Sequence, residues 1–305
     1  MILPQRLQKG DTVGIIAPAG PPNQKQLKQS YSFFQELGLH VKLGKFTQSV
    51  YGYLAGTDEQ RLIDFHEMVR DSTVKAIFFA RGGYGTGRLI PNIDFQLIRN
   101  NPKIMWGYSD ITYLHTAIRQ QTGLVTFHGP MAASDVGDPT FDALSAQSFQ
   151  QLFTPVKLHY TEAISPLHTY VSGKATGRLV GGNLSLLVGT LGTPYEIETK
   201  GNILLIEDIG EVPYQVDAML NQLLLAGKLQ EVAGIVVGDF AHSEGGKGPT
   251  LSLQDVFSHY FSTLSCPVMA GFRIGHCFPH FAIPLGTEAM LDTTKKELKI
   301  CAGVQ

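Results

Sequence analysis

Short apolar runs alternate with amphipathic stretches through the first half of this chain, and that alternation restricts the possible folds more than any other feature. Thr12 to Ala17 is a continuous apolar strand ending in Pro18-Ala19-Gly20-Pro21-Pro22. A helix follows from about Gln24 to Leu37, stopped by Gly38, and then a strand at Leu39 to Leu43. Thr57 with Gln60 three residues on has the pattern of a capping box, opening a helix to about Asp71. Val74 to Ala80 is a strand feeding Arg81-Gly82-Gly83-Tyr84-Gly85-Thr86-Gly87. Lys103 to Gly107 is a short buried strand, and the helix after it, Asp110 to about Gln121, is marked by Ile111, Leu114, His115 and Ile118 and stopped by Gly123. Leu124 to Phe127 is a further strand. Unbroken apolar strands are those buried on both faces, so the pattern predicts a mostly parallel α/β sheet of the flavodoxin or Rossmann kind, with ligand-binding loops at the C-terminal strand ends.

The chain has 305 residues, of which 43% are hydrophobic, enough for two cores. The expected division is an N-terminal domain over 1–153, a linker over 154–172 that contains Pro155 and Pro166, and a smaller C-terminal α/β domain over 173–305. A helix at about Phe141 to Phe153 closes the first part. In the second, Asn183 to Leu191, Val216 to Leu225 and Leu253 to Leu264 read as helices. Asn202 to Ile206, Gly234 to Phe240, Val268 to Phe272, Ala289 to Leu291 and Leu298 to Cys301 read as strands. A net charge of −2 without a basic block points to neither a nucleic-acid nor a membrane-surface partner. Three cysteines without metal-type spacing, a start without a signal-peptide pattern and no long apolar run predict a cytoplasmic protein.

Several residues are candidates for chemistry, each with a plainer alternative. Ser109, in Gly107-Tyr108-Ser109-Asp110-Ile111, ends a strand and opens a helix, where unpaired N–H groups can stabilise an oxyanion; the plainer reading is a helix cap. The block is only partly a nucleophile elbow, because Ile111 stands where the second glycine belongs. The Arg81 to Gly87 loop can cradle a phosphate or offer N–H groups to an active site, but it lacks the P-loop and dinucleotide patterns. Glu207-Asp208 follows a strand, where an orienting carboxylate is useful and a solvated loop is equally ordinary. Among ten histidines, His276 lies on a loop in Gly275-His276-Cys277-Phe278-Pro279-His280, and His128 ends a strand and is its chief rival as a base. The spacing of His276 and His280 also admits a metal, although no HExxH or Cys-pair signature accompanies it.

Seven blocks, taken in order, resemble the LD-carboxypeptidase family of serine peptidases. They are Val13-Gly14-Ile15-Ile16-Ala17-Pro18-Ala19-Gly20, Arg81-Gly82-Gly83-Tyr84-Gly85, Gly107-Tyr108-Ser109-Asp110, Phe127-His128-Gly129-Pro130, Gly181-Gly182-Asn183-Leu184-Ser185, Glu207-Asp208-Ile209-Gly210-Glu211 and Gly275-His276. Together they span nearly the whole chain. Relatives often have a more polar run after the histidine than Cys277-Phe278.

The resemblance implies a Ser109–His276–Glu207 triad, with the serine in the N-terminal domain, the other two in the C-terminal domain, and the active site in the interdomain cleft. It implies an oxyanion hole from the backbone N–H groups of Gly83 and Asp110, substrate contacts from Arg81, Gly82, Tyr84 and His128, no cofactor, no metal, and a homodimer. The implied substrate is the murein tetrapeptide, which loses its terminal D-alanine during cell-wall recycling. A related branch, similar to microcin immunity proteins, acts on peptidyl-nucleotide antibiotics and stacks the base on a tryptophan in an extra loop. Here the single tryptophan, Trp106, falls in the strand before Ser109. A third possibility is a non-catalytic binder holding a phosphorylated ligand on the Arg81 to Gly87 loop, which leaves Ser109, Glu207 and His276 without a role.

Overall fold

The computed structural model describes residues 1–245 and 248–305. The chain forms two compact units. Unit one is Met1–Val156 with Phe278–Gly286 and Ala302–Gln305, and unit two is Lys157–Cys277 with Thr287–Cys301.

Unit one begins with strands β1 (Thr12–Ile16), β2 (His40–Leu43), β3 (Val74–Phe79), β4 (Ile104–Gly107) and β5 (Thr126–His128). Helices α1 (Gln24–Glu36), α2 (Asp58–Arg70), α3 (Phe95–Asn100), α4 (Thr112–Thr122) and α5 (Ala143–Gln147) lie between and after them. Local chemistry sets the helix limits. Asn23 Oδ1 accepts the Lys25 and Gln26 amides at the start of α1. Thr57 and Gln60 exchange both bonds of a capping box at α2. Gly123 ends α4 in the left-handed conformation, φ +77°.

Unit two carries β6 (Leu158–Thr161), β7 (His168–Val171), β8 (Lys174–Asn183), α6 (Leu184–Gly189), β9 (Ile203–Ile209), α7 (Pro213–Leu225), β10 (Gly234–Ala241), α8 (Leu253–Phe261) and β11 (Val268–Ala270). The chain then returns to unit one for β12 (Ile283–Leu285) and finishes with β13 (Glu288–Asp292) and β14 (Glu297–Ile300) in unit two.

The first sheet has the order β12-β5-β4-β3-β1-β2, its five sequential strands parallel and β12 antiparallel at the edge. This is the flavodoxin order, and its direction reverses between β1 and β3, so the loops leaving those two strands part and open a crevice at their C-terminal ends. Beneath it Trp106 packs on Phe149 with ring centroids 4.5 Å apart, and Phe34 on Phe78 at 4.8 Å, within one buried cluster.

The second sheet runs β6-β14-β13-β8-β9-β10-β11-β7. Its centre, β8 to β11, is parallel and its flanks are antiparallel. Leu187 of α6, Leu220 of α7 and Phe257 of α8 share one buried cluster with Leu204 of β9 and Val237 of β10.

Three sequence expectations change. The segment 154–172 is no linker, because β6 and β7 form the two edges of the second sheet. The expected helix at Phe141 to Phe153 is the short α5 followed by a 3-10 turn over Ser148–Leu152. The C-terminal part 173–305 is not one domain. Its residues 278–286 and 302–305 belong to unit one, where Ile283 pairs with His128 and Ala282 and Val304 are fully buried. Such pairing joins residues more than 150 apart, and no local pattern announces it. Among the described residues no helix is long and apolar enough to cross a membrane.

Candidate active site

In unit one the loops after β1, β3 and β4 meet at Ser109. Strand β4 ends at Gly107, where a Cβ would come within 2.9 Å of Phe79 Cδ2. Tyr108 is extended, and Ser109 then turns to φ +60°, one of few non-glycine residues in the left-handed region. For a residue with a Cβ that conformation costs about 1–2 kcal/mol, and such strain persists where the surroundings hold it. A 3-10 turn, Ser109–Ile111, leads into α4. His115 of α4 reaches back and donates Nε2–H to the Gly107 carbonyl at 2.8 Å. Burial pushes its imidazole down to about 3, so it stays a neutral donor.

The glycine loop is tied to this turn. Thr86 donates its amide to Asp110 Oδ2 at 2.8 Å and its hydroxyl to the Asp110 carbonyl at 2.5 Å. A Cβ on Gly82 would lie 2.9 Å from both Cβ and Oγ of Ser109 and 3.4 Å from the Asp110 nitrogen, so only glycine lets the loop sit so close to the hydroxyl. Gly82, rather than Gly83, is the glycine packed on Ser109; a Cβ on Gly83 would face Gly20. Gly20 in turn donates its amide to the Gly82 carbonyl at 3.1 Å.

Arg61 of α2 is buried beneath these loops. Its guanidinium donates to the Pro18 carbonyl and to Asp58 and fills the space a Cβ on Gly85 would need. Arg81 is exposed and donates to the Pro21 carbonyl at 3.3 Å, and Tyr84, 54% exposed, packs edge-on against Tyr53.

In unit two, Glu207 is a fully buried residue near the end of β9 and His276 follows β11. The imidazole donates Nδ1–H to Glu207 Oε2 at 2.8 Å. The carboxylate side chain has no exposed surface and the imidazole 11%. Glycine backbones enclose this pair. A Cβ on Gly275, where φ is +124°, would come 2.6 Å from Glu207 Oε2, and one on Gly238 would come 3.1 Å from Glu207 Cβ.

Asp208 anchors the end of β9. It accepts Asn183 Nδ2 at 3.0 Å, the Ser185 amide at 2.7 Å and the Ile209 amide at 2.8 Å. Burial raises its carboxyl to about 6. Cys277, beside His276, has its thiol pushed up to about 12 by burial, which keeps it from being a thiolate nucleophile.

His128 is fully buried in β5 and pairs with His280 across 3.3 Å, with Tyr108 against both rings. His276 and His280 thus belong to different units and different partners. Among the described residues no group of three His, Cys, Asp or Glu side chains is placed to hold a metal.

Two family models match the chain, the LD-carboxypeptidase N-terminal domain over residues 13–129 and the LD-carboxypeptidase C-terminal domain over 176–291. The chain belongs to the LD-carboxypeptidase family. It is 55% identical over 302 residues to a probable murein peptide carboxypeptidase of Bacillus subtilis, covering 99% of this chain and 95% of that protein. Among solved structures it is similar to the muramoyltetrapeptide carboxypeptidase from Oxalobacter formigenes, with a TM-score of 0.86, 29% identity, and 96% and 100% of the two chains covered. It is also similar to the structure of MccF in complex with glutamyl sulfamoyl guanosine, with a TM-score of 0.91, 28% identity, and 99% and 98% covered.

The seven blocks expected of an LD-carboxypeptidase therefore fall at the ends of β1, β3, β4 and β5 in unit one and at or after the ends of β8, β9 and β11 in unit two. Arg61, His115 and the anchoring bonds of Asp208 were beyond sequence reasoning. An arginine in an amphipathic helix reads as solvated, and a histidine on an apolar face reads as core.

Proposed function

We propose that this LD-carboxypeptidase removes the terminal D-alanine from murein tetrapeptide through a Ser109–His276–Glu207 triad. The observation that carries the reading is the bond from His276 Nδ1 to the buried Glu207 carboxylate. It selects the tautomer in which Nε2 is the proton acceptor, and a hydroxyl needs such an acceptor to become a nucleophile at neutral pH. The strained turn at Ser109 supports the reading from the other side.

Ser109 Oγ attacks the carbonyl carbon of the diamino acid as its proton passes to His276 Nε2. The carbonyl oxygen becomes an oxyanion facing the backbone N–H groups of Asp110 and of the glycine loop, Gly82 or Gly83, a stabilisation on the order of 3 kcal/mol per donor. The C–N bond then breaks, His276 returns the proton to the departing D-alanine amine, and water hydrolyses the acyl-serine by the reverse proton path. Glu207 stabilises the imidazolium throughout. Arg81 and Tyr84 are assigned to substrate. His128, buried with His280, takes a supporting place in the fold beneath the site.

The 55% identity to a protein named for murein peptide supports this substrate over a peptidyl-nucleotide. So does Trp106, which is fully buried with its indole N–H donated to the Pro130 carbonyl at 2.7 Å and is unavailable for stacking on a base. A cytoplasmic recycling role and a homodimer belong to the same proposal. A serine-directed phosphonate probe tests the nucleophile: labelling at Ser109, lost in His276→Ala, supports the triad. Labelling elsewhere, or none, contradicts it and favours a non-catalytic binder.

A further inference from the structure

The first turn of α2 carries charge in beneath the loops that converge on Ser109. Arg61 is 1% exposed, so it cannot touch a substrate. Its guanidinium donates to the Pro18 carbonyl in the loop after β1 and to Asp58 of its own helix. Asp58 also accepts Arg88 Nε at 2.9 Å, and Arg88 belongs to the 3-10 turn that ends the glycine loop after β3. A Cβ on Gly85 of that loop would lie 2.6 Å from an Arg61 guanidinium nitrogen.

Asp110, directly after Ser109, brings in the loop after β4. It is 2% exposed, and its Oδ2 accepts the Thr86 amide at 2.8 Å, which ties the glycine loop to the serine turn. Its Oδ1 has no hydrogen-bond partner among the described residues, and neither has Arg61 Nε. Burial raises the Asp110 pKa, while the Thr86 bonds and the Arg61 charge oppose that rise. A buried carboxylate deprived of its counter-charge takes up a proton or leaves its place. Signs alternate along Arg88, Asp58, Arg61 and Asp110, and Thr86 returns the series to the loop where it began.

We propose that Arg61 is a positioning residue for Ser109: its buried guanidinium compensates the Asp110 carboxylate, which in turn holds the glycine loop against the hydroxyl. The N–H groups assigned to the oxyanion lie on two loops, Asp110 on one and Gly82 or Gly83 on the other, and the bonds between Thr86 and Asp110 join them. A relative shift of about 1 Å between such groups can cost on the order of 10²-fold in rate. The inference rests on Ser109 as the nucleophile and goes beyond it, since Arg61 acts through charge from below the site.

The test measures kcat and KM on murein tetrapeptide, with denaturant midpoints, for wild type, Arg61→Met, Arg61→Lys, Asp110→Asn and the double variant Arg61→Met/Asp110→Asn. Arg61→Met and Asp110→Asn should each lower kcat about tenfold or more while KM stays within about threefold. Arg61→Lys keeps the charge and should stay within about fivefold of wild type. The double variant decides the coupling. With no carboxylate left to compensate, it should be no more than about threefold slower than Asp110→Asn, and its midpoint should lie above that of Arg61→Met. Should Arg61→Met not fold, the double variant should, and its equality with Asp110→Asn carries the same decision. The proposal is overturned by an Arg61→Met loss that is equal in both backgrounds, by wild-type kcat in either single variant, by Arg61→Lys as slow as Arg61→Met, or by a double variant that stays unfolded. Each of those results leaves Ser109 as the nucleophile, because wild type still releases alanine. A wild type that releases none removes the serine reading and the positioning role together.

Discussion

His276 Nδ1 and Glu207 Oε2 lie 2.8 Å apart, and the carboxylate side chain has no exposed surface. An amide at 207 keeps the shape but cannot stabilise an imidazolium. Glu207→Gln should therefore lower kcat on the order of 10³–10⁴-fold with KM little changed. Steady-state kinetics on the tetrapeptide check this, and a loss of only a few-fold removes Glu207 from the triad.

Gly82 offers a steric test on the serine's side. Its φ is not in the left-handed region, so an alanine there meets no left-handed backbone penalty, and its conflicts are with Ser109 Cβ and Oγ, both 2.9 Å away. Gly82→Ala should reduce kcat by at least about 100-fold, while overpacking at this buried loop position lowers stability by about 1–3 kcal/mol. Melting and turnover measured on the same preparation separate the two effects.

At Ser109 the φ of +60° sets function against stability. Both Ser109→Ala and Ser109→Gly should abolish turnover, but the glycine variant should be the more stable of the two by about 1 kcal/mol, because only it relieves the left-handed strain. Denaturant melts of the pair decide. Equal stability would mean that the turn relaxes in both.

Asp208 makes a prediction about pH. Its folded carboxyl titrates at about 6, above the unfolded value of about 3.9, so over that window the folded state binds more protons and this group's contribution falls as pH rises. The melting temperature of wild type minus that of Asp208→Asn should therefore increase as pH is lowered from 7 to 4 and level off below. A flat difference contradicts the buried, raised carboxyl.

The parallel sheet of unit one was legible because its strands are unbroken apolar runs separated by capped helices, each signalled within about a dozen residues. Ser109 was legible for the same reason, since strand, turn and helix start are contiguous. The assignment of segments to units was not. β12 and the C-terminal tail join unit one through burial of Ile283 and Val304, and β6 and β7 occupy sheet edges where alternation is weak and prolines interrupt. The pairing of Glu207 with His276, 69 residues apart, came from family resemblance rather than periodicity. Arg61 holds the loop after β1 through the Pro18 carbonyl 43 residues away, and His115 holds the end of β4 through the Gly107 carbonyl, contacts that hydrophobic periodicity does not encode.

The most direct test of the account is to incubate the purified protein with murein tetrapeptide and follow the product mass for wild type and Ser109→Ala. The account predicts loss of one alanine from the carboxyl end with wild type and none with the variant. An unchanged tetrapeptide with wild type, or alanine release that survives Ser109→Ala, contradicts it.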